Sequence, residues 1–475
     1  MLKKLNNRFF AFGLLAVAVA QVVHAEVDGW EVSNLNARNS ALKQNYFSMQ
    51  DDYDFWTNPA LLGGYTNRAY GAISSTTATK GDDAVAKLAG GNLNVKWFNV
   101  GVYQGRAYAG SIANTLFSPT LLKGAAATTA STYLTPAPAT NPAVKNLIDV
   151  LFSTELGAIQ VGARLNINRY SISVTNPTGA LGGGSTVNLD NKSVAASDTN
   201  LVVGVAMKNM PLDFAMSFGS PSFSSTAEYN QSNSTTVNDR RAKSALEDAS
   251  IFAIAARMDV ANFSGGLFRV SAKYARQDSK IVQSGRDLST TASIVTTNAD
   301  QAAEATMAAT SYSGYGAFVL KPANGLTIIA SSGLEYAKLI ADGKLSDNAI
   351  VAAPLQEKST TTAYSAKIPA RLGLEVEANK NWTLRGGAAR NLYSKAKDTV
   401  NNTITAGIAN ALSDKVTEST DADAVVELAL GLRYTLGDAF MLDATVNKDV
   451  LFTGTYLVSG VPDTLATQVS FIYKF

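Results

Sequence analysis

Apolar and polar positions alternate with a period of two along much of the chain. Over 159–167, Ile159, Val161, Ala163, Leu165 and Ile167 share one face, and Gln160, Gly162, Arg164 and Asn166 share the other. Over 364–377, Tyr364, Ala366, Ile368, Ala370, Leu372, Leu374 and Val376 oppose Ser365, Lys367, Pro369, Arg371, Gly373, Glu375 and Glu377. The run 424–436 is built the same way. A period of two marks a strand whose faces meet different surroundings. These runs exceed the five or six residues usual in a soluble sheet and match the ~9–11 residues of a tilted membrane strand.

The expected strands are 67–76, 92–97, 100–108, 156–167, 169–176, 200–208, 211–220, 250–259, 266–276, 311–320, 325–337, 361–377, 381–393, 423–436, 440–452 and 464–475. That makes sixteen, the even number bacterial barrels need. Fourteen stays open, because the alternation is least regular before residue 110, where only Phe98-Asn99 separates 92–97 from 100–108 and the two can be one bent element. Short turns at Asn209-Met210-Pro211, Ala378-Asn379-Lys380-Asn381 and Gly437-Asp438-Ala439 join hairpins. The polar stretches 177–199, 221–249, 277–310, 338–361 and 394–422 read as long loops on the other side. This asymmetry is the layout of an outer-membrane barrel.

Two helical patterns interrupt the alternation. Asn141-Pro142 supplies a cap and a first-turn proline, and Val144, Leu147, Ile148 and Leu151 follow on one helical face. Ile404, Ile408 and Leu412 form a weaker stripe. Both are expected to pack as a lid over the mouth, with apolar-ligand binding as the alternative.

Backbone chemistry explains the alternation. In lipid every N–H and C=O must be paired within the protein, so a sheet has to close on itself. The stretch 464–475, TLATQVSFIYKF, puts Leu465, Thr467, Val469, Phe471, Tyr473 and Phe475 on one face, with Ile472 the single apolar residue on the polar one. It reads as the closing strand, with its apolar face still in the membrane. The expected class is therefore all-β: a closed transmembrane antiparallel β-barrel of 14–16 strands over 67–475, preceded by residues 26–66, which lack clean alternation and either plug the lumen or lie in the periplasm.

Composition narrows the chemistry. Residues 1–25 have a basic start, an apolar run from Phe9 to Ala20 and Val23-His24-Ala25, a signal peptide expected to be cleaved after Ala25. They hold three of the 40 basic residues and none of the 38 acidic, leaving 37 against 38. No polycation remains to recruit nucleic acid. The chain lacks cysteine, and its one histidine, His24, lies in the signal peptide. Catalytic and metal sites built on imidazole or thiolate are thereby excluded, so no enzyme activity, metal or cofactor is expected.

Residues 51–75, DDYDFWTNPALLGGYTNRAYGAISS, resemble the start of the FadL-type family of outer-membrane transporters. In that family an Asn-Pro-Ala motif ends an amino-terminal hatch just before the first strand, and Asn58, Pro59 and Ala60 stand in that place here. The resemblance implies a hatch within the barrel and a solute path past it. It also implies a kink in the third strand, for which Gly101 and Gly105 are candidates; the alternative is that they only ease packing against the plug. Phe471, Tyr473 and Phe475 resemble the carboxy-terminal signal read by the barrel-assembly machinery, without the usual upstream glycine. TraF-like conjugal-transfer barrels share the layout, so the resemblance speaks for a fold more than a cargo.

By parity the polar faces carry charges of both signs. Arg164, Arg269, Arg371, Glu375, Arg385 and Glu427 are the candidates for a constriction or plug contacts. Trp382, Tyr434 and Phe440 near short turns, and Tyr274, Tyr336, Tyr364 and Tyr393 near the long-loop ends, are candidate bilayer girdles. The leading functional expectation is passive uptake of small solutes, apolar ones among them, with the lipid bilayer and the assembly machinery as partners. The alternative is a non-transporting surface or envelope scaffold that binds a partner protein.

Overall fold

The computed structural model describes residues 36–75, 85–105, 145–176, 180–181, 185–208, 210–232, 236–291, 294–347, 355–405, 415–420, 426–446 and 466–475. Eighteen strands form one antiparallel sheet: β1 (Arg68–Ser75), β2 (Val85–Val95), β3 (Phe98–Gln104), β4 (Lys145–Leu156), β5 (Ile159–Asn176), β6 (Ala180–Leu181), β7 (Ser185–Met207), β8 (Leu212–Ser232), β9 (Thr236–Phe263), β10 (Gly266–Thr291), β11 (Ile294–Ala323), β12 (Leu326–Asp347), β13 (Leu355–Glu377), β14 (Trp382–Thr405), β15 (Lys415–Thr420), β16 (Glu427–Leu436), β17 (Phe440–Val446) and β18 (Ala466–Lys474). β18 pairs with β1, Ile472 opposite Tyr70, so the sheet closes. Short β6 continues the line of β5 along β7, and β15 continues that of β16 along β14. The ring therefore has sixteen staves.

Alternation sorts the two faces. Phe152, Leu165, Leu201, Phe218, Phe318, Leu372, Leu384 and Leu430 are all well exposed on the outside. Asn166, Asn200, Ser217, Arg257, Arg385 and Ser470 are buried on the inside. An exposed apolar belt around a polar interior is the inverse of a soluble barrel, and it requires hydrocarbon outside. Among the described residues no helix is long and apolar enough to cross a membrane.

Aromatic side chains mark two levels on this wall. Tyr274, Tyr312 and Tyr336 stand directly opposite one another on β10, β11 and β12. Phe252 extends the row to β9 and Phe218 to β8. Near the short turns Trp382 faces Tyr434, ring centroids 4.8 Å apart. Tyr393 and Trp382 bound the spanning part of β14; at ~3.3 Å per residue and a ~45° tilt, that interval gives ~25 Å of height, the height of a barrel's apolar band.

Four sequence expectations need correction. The stretches read as long loops are largely strand: β9, β10 and β11 run for 28, 26 and 30 residues, well past the tyrosine row. Beyond the lipid both faces meet water, so the alternation fades although the ladder continues. The helix expected from Asn141-Pro142 is not formed over Leu147–Leu151, which belongs to β4; residues 141–144 lie outside the described residues. There Ile148, Val150 and Phe152 face outward while Asp149, Leu151 and Ser153 face inward. The mixed apolar spacing fits both periods, and the lipid-facing period of two prevails. Segments 156–167 and 169–176 are not two strands, since β5 runs unbroken from Ile159 to Asn176. β2 and β3 are two strands as expected, but they turn at Lys96-Trp97 rather than at Phe98-Asn99, which opens β3; Lys96 is in the left-handed region (φ 51°). Ile404 lies in β14, and Ile408 and Leu412 fall outside the described residues, as does the expected signal peptide.

Candidate functional site

Residues 36–66 contribute no strand to the ring and pack against its inner face. The segment starts with helix α1 (Ala37–Leu42), where the Asn36 side chain accepts hydrogen bonds from the N–H groups of Arg38 and Asn39. Two short 3-10 helices follow, Asp54–Trp56 and Pro59–Tyr65. Asn58 caps the second by accepting from Ala60 N at 3.1 Å, and Pro59 takes the first helical position, where its missing N–H costs nothing. The Asn58 amide also donates to Val205 O of β7 at 3.2 Å.

Close approach to the wall depends on inward glycines. A β-carbon on Gly162 would run into the Pro59 backbone, and one on Gly204 into Asn58 Oδ1. Beneath α1, a β-carbon on Gly387 would strike the Leu42 backbone, and one on Gly431 the Ala41 side chain. Only glycine lets the two backbones meet at these points.

One side of the segment is anchored by aromatic packing. Tyr53, Phe55, Trp56 and Tyr65 join Tyr70 of β1, Tyr103 of β3, Leu151 of β4, Met441 of β17 and Ile472 of β18 in one buried cluster. Trp56 and Tyr103 meet edge to face at 4.6 Å between centroids. This contact accounts for Ile472, the apolar residue on the polar face of the last strand.

Charge anchors the rest. Arg257 of β9 donates to Asp54 Oδ2 and Asp213 Oδ2, each at 2.9 Å, and to the carbonyls of Tyr46 and Met49. Its guanidinium carbon lies 4.1 Å from the Tyr46 ring centre, and Tyr46 OH donates to Asp213. Asp54 is outside the spanning strands; burial pushes its carboxyl up to about 7, against the downward pull of Arg257. A second set of contacts alternates in sign: Arg38, Glu375, Arg385, Asp443, Arg433, Asp52 and Arg68 form one continuous chain. Arg38 grips both oxygens of Glu375, at 3.0 and 3.2 Å. The chain thus binds α1 and Asp52 to β1, β13, β14, β16 and β17.

The six candidate charges separate into groups. Glu375 meets Arg38, Glu427 meets Lys43 at 3.0 Å, and Arg164 donates to Trp56 O, so these three touch the segment directly. Arg385 acts one step away, between Glu375 and Asp443. Arg371 pairs with Glu335 at 3.4 Å and lines a cavity. Arg269 pairs with Asp259 of the neighbouring strand and does not reach the segment. Parity brings Arg257, Asp213, Arg433 and Asp443 to the inner face, but nothing in one sequence ranks them above the others. Their partners Arg38, Asp52 and Asp54 carry one signal, the cluster Asp51-Asp52-x-Asp54 just ahead of Asn58.

Gly101 pairs with Asn92 on one side and Leu151 on the other, and neither ladder shifts register there. Gly105, at φ 86°, follows the last residue of β3. Phe471, Tyr473 and Phe475 are exposed on the outer face of the seam.

Above the segment, on the side away from the short turns, the inner face becomes apolar. Leu246, Ile251, Ile281, Met307, Leu339 and Ala363 form a cluster across β9 to β13. Beside α1 lies a cavity of about 380 Å³, lined by residues of α1 and its following turn and of β12, β13, β14 and β16.

No protein-family model and no curated protein matches the sequence. Among solved structures the chain is similar to the toluene transporter TbuX of Ralstonia pickettii, at 10% identity and a TM-score of 0.34 over 94% of this chain and 99% of that one. It is also similar to the translocator domain of the autotransporter NalP from Neisseria meningitidis, at 13% identity and a TM-score of 0.25 over 68% and 90% of the two chains. A third is the ferric yersiniabactin uptake receptor FyuA of Yersinia pestis, at 7% identity and a TM-score of 0.28 over 86% and 79%. The chain is a sixteen-stave transmembrane β-barrel with residues 36–66 packed inside it.

Proposed function

We propose that this protein is a plugged conduit of the bacterial outer membrane, through which small solutes, apolar ones among them, pass down their gradient. One observation carries the reading: the ring of strand pairings is complete without residues 36–66, which sit in the lumen by packing, ion pairs and side-chain hydrogen bonds and add no strand to the ladder. A stopper attached in this way is displaceable without opening the wall. The apolar inner cluster around Ile251 and Leu339, on the outward side of the segment, supports apolar solutes as cargo. No energy source or cofactor is needed for such movement.

A second reading, a surface scaffold that binds a partner protein, is favoured by the height of β9 to β11 beyond the tyrosine row. Liposome swelling separates the two. Proteoliposomes in isosmotic solutions of small neutral solutes should swell at rates that fall with solute size. Rates equal to those of empty liposomes for every solute would refute the conduit and leave the scaffold.

A further inference from the structure

The contacts of the segment are uneven around the ring. Towards β1–β9 it is packed against aromatic rings and Arg257; towards β12–β16 a cavity of about 380 Å³ opens beside the points where α1 touches Gly387 and Gly431. Six charged side chains line it: Lys43, Lys367, Arg371 and Arg390 against Glu335 and Glu427, two more cations than anions. Both carboxylates are already engaged. Glu427 accepts from Lys43 at 3.0 Å. Glu335 accepts from Tyr315 OH at 2.5 Å and from Arg371 at 3.4 Å. Lys367 stands directly opposite Glu335 in the ladder, yet it has no ion-pair partner among the described residues. Arg371 Nη1 has no hydrogen-bond acceptor.

We propose that this cavity binds small polar organic anions carrying two carboxylate groups, held by Lys367 and Arg371. The physical case is charge and size together. Positive charge in a confined, partly desolvated site attracts carboxylates more strongly than in open water, and guanidinium donors suit carboxylate geometry. The volume lies at the lower end of small-molecule pockets, the size for an acyclic dicarboxylate of about ten heavy atoms. The charged lining favours anions at this point, so the site would serve the polar part of the traffic beside the apolar solutes that suit the cluster around Ile251. The inference deepens the conduit reading, since the cavity would be the place where a solute passes the segment.

The test is equilibrium dialysis of labelled succinate against the full-length protein in nonionic detergent, beside its neutral analogue succinamide. The expected result is saturable succinate binding with no matching succinamide binding. Lys367→Gln and Arg371→Gln should each weaken succinate binding about tenfold, the factor equivalent to one charge-assisted hydrogen bond. Lys208→Gln, on the exposed Lys208–Glu155 pair, should not change it. Absence of saturable binding, equal binding of succinamide, or an unchanged affinity in both variants would overturn the proposal. The two analogues are compared on the unaltered protein, so the outcome does not depend on a variant folding. Binding without solute flux would refute the conduit and keep the site; flux without binding would do the reverse.

Discussion

Arg257 and Asp54 sit 203 positions apart in the chain and meet at 2.9 Å in the lumen, both almost wholly buried. The pair joins the wall to the segment that fills it. A buried ion pair adds little net stability over an apolar one, but removing one partner strands the other. The pair therefore matters most for where the segment sits.

Arg257→Met should leave Asp54 and Asp213 buried without their shared cation. The expected cost is about 3–5 kcal/mol of docking, with the strand ladders intact. Hydrogen exchange across 46–58 should accelerate on the order of a thousandfold, while exchange in β9 and β10 stays slow. Unchanged exchange in 46–58 would show that the pair does not hold the segment.

Gly162→Val tests the backbone contact at Pro59. The side chain has no room, and overpacking of this kind costs about 1–3 kcal/mol. Protease should then cut within 36–66 faster than in the parent, and the barrel should keep its heat-modifiable migration on SDS gels. Valine at Gly314, where only a distant carbonyl oxygen 3.8 Å away would be met, should leave cleavage unchanged.

The tyrosine row at Tyr274, Tyr312 and Tyr336 divides strand in lipid from strand in water. Leu372→Arg, on the exposed outer face below the row, should destabilise the barrel by about 2–4 kcal/mol in urea unfolding from bilayers. Thr306→Arg, on the exposed outer face of β11 above the row, should cost close to nothing. Equal losses would place the membrane elsewhere.

The parts of this fold that touch lipid were the legible ones. Leu165, Leu372 and Leu384 alternate with polar or small neighbours because hydrocarbon lies on one side of them and the lumen on the other. The same strands beyond Tyr312 look like loop, because water on both sides leaves nothing for a periodicity to record. β4 read as helix because Val144, Leu147, Ile148 and Leu151 satisfy a helical period, while its inward Asp149 and Ser153 gave the weaker cue. Within the lumen, parity predicted which charges face inward, including Glu375, Arg385 and Glu427. It did not separate Arg269, which pairs with the neighbouring strand, from Arg257, which holds the segment. That distinction depends on the position of Asp54, set by a helix cap at Asn58 and by glycines at 162 and 204, contacts between residues far apart in the chain.

Single-channel conductance in planar bilayers, comparing the intact protein with a variant lacking residues 26–62, tests the central claim most directly. A lumen stopped by a separately held segment predicts small or rare openings in the intact protein and large, steady steps in the variant. Equal currents from the two, with both migrating as folded barrels, would contradict it.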